Sequence, residues 1–258
     1  MLLAIDAGNT NVVLGVYDGD KKRCQWRAAT WQDRTADEYA ALITQWLSLE
    51  GLTAAAITEV AIASVVPRML RDLRQLSERM FKCTPLVVGD PGVALGVKVL
   101  IDRPAEVGAD RLVNAVAAHT TYGGPLIVID FGTATTFDVV DGEGNYCGGA
   151  IAPGINLSLE ALHLATSKLP HIAVEAPPRA IGRDTVSAMQ SGIYWGYIGL
   201  IEGLVVRLAA ELGGTVKVIA TGGLAPLFAN GTKSVQHVDS DLTLRGIVEI
   251  YRRNRGQR

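Results

Sequence analysis

The chain has 258 residues, 48% hydrophobic and 19% charged, which is enough apolar material for one large or two ordinary domains and too much for a disordered chain. A net charge of −2 leaves no electrostatic footprint for nucleic acid or an anionic membrane surface. Three widely spaced cysteines, Cys24, Cys83 and Cys147, form neither a metal-ligand pair nor a disulfide framework, so reduced thiols in a cytoplasmic protein are expected.

The N-terminal run Leu2–Ile5 meets Asp6 too soon for a signal peptide. No uncharged apolar run reaches the roughly 18 residues of a membrane span. The first strand therefore opens the fold, and Val12–Tyr17 after the polar turn is a second strand, with Asp18-Gly19 signalling a third. Thr35 with Glu38 spells a capping box for a helix whose inner face carries Leu42, Ile43, Trp46 and Leu47. Val60–Ala63 is a buried strand, Pro67 opens the next helix at its first position, and Leu86–Val88 is a short strand. Glu106, Asp110 and Arg111 lie near the start of a helix with Leu112, Val113, Val116 and Ala117 inward. Acids suit that end for dipole reasons alone.

After the turn cluster Tyr122–Pro125 the opening pattern returns. Leu126–Ile129 leads to Asp130-Phe131-Gly132-Thr133-Ala134-Thr135, then Thr136–Val140, then Asp141-Gly142. Asp6 and Asp130 are 124 residues apart, close to half the chain, which implies two copies of one domain. The expected division is 1–122 and 123–258. Helices follow over Ile155–Thr166 and from about Asp184 to Leu212. A strand covers Val216–Ile219, and a terminal helix starts near Leu242. Strands alternating with helices give an α/β class. The long helix holds Gly192, Gly196, Gly199 and Gly203, which together cost roughly 4 kcal/mol against alanine. Close packing on another helix of this chain or on a partner subunit would account for them. The basic end from Arg252 to Arg258 suits a solvated helix terminus better than a phosphate-binding arm.

Asp6-x-Gly8-Asn9-Thr10-Asn11 places a carboxylate and a glycine turn between two strands. The glycine lets backbone N–H groups approach phosphate, and the aspartate can hold a hydrated Mg²⁺. One copy alone is often only a hairpin turn. The second, at Asp130, makes a pair of loops suited to the β- and γ-phosphates of ATP in a cleft between related halves. Ala220-Thr221-Gly222-Gly223-Leu224 follows a strand, and its small residues would let adenosine lie against the backbone. His119, His163, His171 and His237 have no metal-ligand spacing. No serine or cysteine stands out as a nucleophile, so direct in-line transfer is expected.

This arrangement resembles the actin, sugar-kinase and heat-shock ATPase superfamily, with its duplicated RNase-H-like domains. Within it the chain is similar, over nearly its whole length, to type III pantothenate kinases. The motifs are Asp6–Asn11, Ser64–Pro67, Pro104–Arg111, Asp130–Thr136, Gly148–Gly154 and Ile181–Thr185. The resemblance implies ATP-dependent phosphorylation of pantothenate at its terminal hydroxyl, the first step of coenzyme A synthesis, by a homodimer. It implies that Asp6, Ala7, Gly8, Asn9, Thr10, Asn11, Val12 and Val13 form the first ATP loop, and that Thr133 contacts ATP from the second. Asp130 would coordinate an activating potassium or ammonium ion. Gly108, Ala109, Asp110 and Arg111 would bind pantothenate with Asp110 as base, and Thr185 would add a contact. The family usually has a tyrosine where this chain has Ile101, so the pocket lacks that hydroxyl. Another small acceptor on this scaffold, or a non-catalytic regulatory relative, are the competing readings. The intact set Asp6, Asp110 and Asp130 favours the enzyme.

Overall fold

The computed structural model describes residues 1–166 and 168–256. The last two residues of the basic end, Gln257 and Arg258, lie outside the described residues. The chain builds two compact units, each around a five-stranded mixed sheet.

Unit 1 holds β1 (Leu2–Ala7), β2 (Asn11–Asp18), β3 (Lys21–Ala29), β4 (Glu59–Ser64) and β5 (Leu86–Val87), in the order β3-β2-β1-β4-β5. β1 pairs antiparallel with β2 and parallel with β4. Strand alternation divides β1 between two cores. Leu3, Ile5 and Ala7 face α1 (Ala36–Leu49) and α2 (Pro67–Met80), whereas Leu2 and Ala4 face the other layer. That second layer is made by α3 (Ala109–Tyr122) through Ala109, Val113 and Val116, and by α7 (Leu242–Asn254) through Leu244, Ile247, Val248, Ile250 and Tyr251. Asp6 continues the parity of Leu2 and Ala4, so it emerges on the α3 side of the sheet.

Local signals act as the sequence predicts. Thr35 N–H donates to Glu38 Oε2 at 2.8 Å and Glu38 N–H to Thr35 Oγ1 at 3.4 Å, completing the capping box of α1. Pro67 occupies the first turn of α2. Ile43 and Leu47 are buried on α1, but Tyr39 takes the inward place expected of Leu42, and Trp46 stacks on Trp26 at 5.8 Å.

Unit 2 repeats the plan. Its strands are β6 (Leu126–Phe131), β7 (Ala134–Val140), β8 (Tyr146–Pro153), β9 (Lys217–Gly222) and β10 (His237–Val238), in the order β10-β9-β6-β7-β8. Read from the hairpin outward this is the order of unit 1, with the same parallel and antiparallel pairs. Ile127, Ile129 and Phe131 pack against α4 (Ile155–Leu164), α5 (Thr185–Leu212) and α6 (Ala225–Ala229). Asp130 has the opposite parity and lies on the other face, as Asp6 does in its own sheet.

The compact units are not consecutive halves divided at residue 122. Unit 1 also contains Arg103–Ala117 and the last helix from Thr243, while unit 2 contains Lys98–Asp102 and Ala118–Leu242. The apolar faces of α3 and α7 are the reason, since both cover sheet 1. β9 also extends beyond the expected strand, to Gly222, because it stays paired with β6 as far as Phe131.

α5 is capped by Asp184, whose Oδ1 accepts from Ser187 N–H at 2.9 Å, and ends at Gly213 in the left-handed conformation. It is long and apolar enough to cross a membrane by length and composition alone, although its uncharged run stops at Glu202, short of the roughly 18 residues set out above. One face of it, with Tyr194, Tyr197, Ile198, Ile201 and Val205, forms the core of unit 2. On the other side, a Cβ at Gly192, Gly196 or Gly199 would meet only open space. Packing within this chain therefore does not explain these three glycines.

Candidate active site

In unit 1 the first loop grows directly out of the β1–β2 ladder. Asp6 pairs with Val13 and Ala7 with Val12, and Gly8 N–H closes the turn on Asn11 O at 3.0 Å. Asn9 and Thr10 are exposed at its tip. Beside it, β4 ends at Ser64, whose hydroxyl accepts from Val66 N–H at 3.1 Å, and Val65 N–H donates to Ala7 O at 3.1 Å. Ser64–Val66 is therefore fastened to the base of the loop.

The same segment borders Gly108, beside Asp110. A Cβ placed on Gly108 would sit 2.5 Å from Asp110 Oδ1 and 3.3 Å from Val65 Cγ1. Only glycine leaves room there for the carboxylate to fold back over its own helix start. Asp110 Oδ1 accepts the Arg111 N–H at 2.8 Å. Burial pushes the Asp110 carboxyl above the ordinary aspartate range, against the opposing pull of that N–H and of the Arg111 charge. A half-buried carboxylate with raised proton affinity is a stronger base than an ordinary aspartate. Val65 thus lies between the base of the first loop, at Ala7, and the Gly108–Asp110 turn.

In unit 2 the second loop is one residue shorter. Asp130 pairs with Thr136 and Phe131 with Thr135, and Gly132 N–H closes on Ala134 O at 3.1 Å. Thr133 is exposed at the tip. On the neighbouring strand Thr221 lies beside Asp130. Gly222 has φ +91°, and a Cβ there would stand 2.8 Å from Asp130 Oδ1 and 2.5 Å from Phe131 O. Glycine is what this close approach requires, so Gly222 supports the carboxylate of Asp130.

Thr136 and Thr221 flank Asp130 on its side of the sheet, and Asp138 continues that row. Asp138 is fully buried, with Oδ1 accepting from Tyr146 OH at 3.0 Å and Oδ2 from Thr136 Oγ1 at 3.0 Å. In the sequence Asp138 is one more residue of the second strand of the repeat. Its signal was a charge at a position whose strand neighbours, Phe137 and Val139, are core residues. These donors are all oxygen, which suits a hard cation bound together with phosphate. Among the described residues, no three His, Cys, Asp or Glu side chains cluster as metal ligands. His163 packs against His171 in a tilted pair at 3.7 Å, and His237 stacks on Tyr122 at 4.9 Å.

The remaining expected residues, Ile101 and Thr185, belong to unit 2. Ile101 has its Cγ2 3.4 Å from where a Gly148 Cβ would lie. Thr185 is the exposed first residue of α5. A cavity of about 200 Å³ in unit 1, lined by residues including Glu59, Cys83, Tyr251 and Arg255, contains none of the expected site residues.

The sequence profile of the type III pantothenate kinase family matches residues 2–207. A type III pantothenate kinase of Paramagnetospirillum magneticum is 66% identical over 254 residues, 98% of this chain and 98% of that protein. One of Rhodospirillum rubrum is 63% identical over 254 residues, 98% of this chain and 99% of that protein. Among solved structures, the activator of the 2-hydroxyisocaproyl-CoA dehydratase from Clostridium difficile with bound ADPNP superposes with a TM-score of 0.55 at 10% identity, covering 99% of this chain and 97% of that chain. That likeness concerns the fold, which is the two-sheet α/β fold of the actin-like and sugar-kinase ATPases.

Proposed function

Because the chain belongs to the type III pantothenate kinase family, we propose that it transfers the γ-phosphoryl group of ATP to the terminal hydroxyl of pantothenate, the first step of coenzyme A synthesis. One observation supports this reading above the others. Val65 is hydrogen-bonded to the base of the first loop and borders Gly108, the residue whose missing side chain leaves room for the Asp110 carboxylate, so the first loop and a candidate proton acceptor stand near one another in unit 1.

In the proposed reaction the pantothenate hydroxyl oxygen bonds to the γ-phosphorus as the bond to the β,γ-bridging oxygen breaks. ADP leaves, and the hydroxyl proton passes to Asp110. Positioning and electrostatics would supply most of the acceleration. The loop from Asp6 to Val13 and the tip residue Thr133 would hold the ATP phosphates through backbone N–H groups and hydroxyls. Gly108, Ala109 and Arg111 would bind pantothenate, the guanidinium being suited to its carboxylate. Ile101 and Thr185 would add contacts, with Ile101 supplying apolar surface.

Mg²⁺ would be held by Asp6 through water, and a potassium or ammonium ion by Asp130. Either cation, when bound, offsets the charge of the phosphates. The oxygen donors around Asp130 fit such an ion. We further propose a cytoplasmic homodimer. The solvent side of α5 supports the dimer, since Gly192, Gly196 and Gly199 leave room for a second helix beside Trp195, which is 42% exposed. Light scattering at micromolar concentration should then give twice the chain mass, and a monomer at full activity would refute this.

Turnover with an acceptor panel tests the main assignment. ADP release with Mg²⁺ and ATP should depend on pantothenate and not on glucose, glycerol or acetate. Equal turnover with any of those three would overturn it.

A further inference from the structure

Each hairpin loop is latched by the residue that follows the third strand of its sheet. In unit 1, β3 ends at Ala29. Thr30 then donates its N–H to Thr10 O at 2.9 Å and its hydroxyl to Gly8 O at 2.6 Å. In unit 2, β8 ends at Pro153. Gly154 then donates its N–H to Thr133 O at 3.1 Å. A Cβ at Gly154 would press on that same carbonyl and stand 2.7 Å from Gly132 O, and Gly132 is the counterpart of Gly8.

Corresponding carbonyls are therefore approached in both units by different means. Unit 1 uses an amide and a hydroxyl, whereas unit 2 uses an amide and bare backbone. The two amide bonds continue the β2–β3 and β7–β8 registers by one pair, Thr10 with Thr30 and Thr133 with Gly154, whereas the bond from the Thr30 hydroxyl to Gly8 O is no part of a strand ladder.

The latch has a definite consequence for the loop. A peptide unit is planar and trans, so the direction of one carbonyl fixes the opposite direction of the next N–H. Holding Gly8 O toward Thr30 turns Asn9 N–H away from β3. We propose that Thr30 is a positioning residue for the nucleotide. Its hydroxyl sets the peptide that presents Asn9 N–H to the ATP phosphates, and Gly154 steadies the second loop in the equivalent way. This proposal rests on the reading of these loops as the ATP site. Neither Thr30 nor its role follows from the reaction itself.

Thr30→Val keeps the shape and removes the donor, and Thr30→Ser restores it. With both substrates varied, Thr30→Val should raise the KM for ATP by about tenfold, the scale of leaving one such acceptor unmet. The KM for pantothenate should stay within about twofold, and Thr30→Ser should return the ATP value to within about twofold of the unsubstituted enzyme. An unchanged ATP KM, or equal rises for both substrates, would overturn the latch while leaving an active ATP-dependent kinase. If Thr30→Val does not fold, amide hydrogen exchange on the unsubstituted protein decides. Saturating Mg²⁺–ATP should slow exchange at Asn9 and Thr30 together. Slowing at Asn9 alone would refute the latch, and slowing at neither would refute the ATP-loop reading and the latch with it.

Discussion

Asp110→Asn is the substitution that best separates chemistry from structure. Asn keeps the size of the side chain, and its Oδ1 can still accept the Arg111 N–H across the 2.8 Å contact. It also fits the space left by Gly108 beside Val65. What it loses is the basic oxygen. A positioned general base contributes typically about 10²- to 10⁴-fold, or roughly 2.7 to 5.4 kcal/mol of barrier. Burial has raised the proton affinity of this carboxyl, so kcat should fall by that factor while ATP binding persists. Stability should move the other way. The folded state holds the Asp110 proton more tightly than the unfolded state does, so stability is lost as pH rises through the folded-state pKa. At neutral pH the ionised, buried carboxylate opposes folding, and Asn should leave the melting temperature unchanged or higher. The acid limb of the kcat profile should have its midpoint above the ordinary aspartate value of about 3.9, and Asp110→Asn should abolish that limb. Steady-state kinetics from acid to neutral pH, with thermal melts, measure all of this. If Asp110 merely starts a helix, Asn is an equally good residue there and kcat would stay near wild type. That result would refute the assignment.

Three further outcomes follow from the loops. Asp6→Asn should weaken use of Mg²⁺–ATP, seen as a higher KM for ATP and a shifted Mg²⁺ requirement, with pantothenate binding little affected. Activity should be low in sodium-only buffer and rise with potassium, and Asp130→Asn should flatten that potassium titration. Gly222→Ala should cost about 1–2 kcal/mol for the left-handed backbone alone. Because its Cβ would also crowd Asp130, the potassium response should weaken together with the melting temperature.

Much of this architecture is legible in the sequence because its signals are local. Thr35 with Glu38 and Pro67 are terminal helix devices whose partners lie within one turn. The repeat of Leu2–Asp6 in Leu126–Asp130 fixes two hairpins, and strand parity then places both aspartates on the face opposite the α1–α2 or α4–α6 layer. What the sequence conceals depends on distant partners. Ala220-Thr221-Gly222 has little strand preference of its own, and only pairing with Asp130 and Phe131 extends β9 through it. α7 belongs with sheet 1 because its apolar face, with Leu244 and Ile247, joins one buried cluster with Leu2 and Ala4, more than 200 residues away in the chain. A run of helical glycines suggests close packing, but Gly192, Gly196 and Gly199 face outward because the opposite face of α5 fills the core of unit 2. Thr30 was the residue most easily missed. Aligning the two repeats through their third strands would have set it against Gly154, within a motif already recognised.

The central claim is that this chain phosphorylates pantothenate on its terminal hydroxyl, and identifying the product tests it most directly. Purified protein incubated with Mg²⁺, potassium, ATP and pantothenate should yield ADP and a single phosphomonoester. Phosphorus and proton NMR should place the new phosphate on the terminal CH₂–O of pantothenate. ATP hydrolysis to free phosphate with unmodified pantothenate, or a phosphate on any other group, would contradict the account.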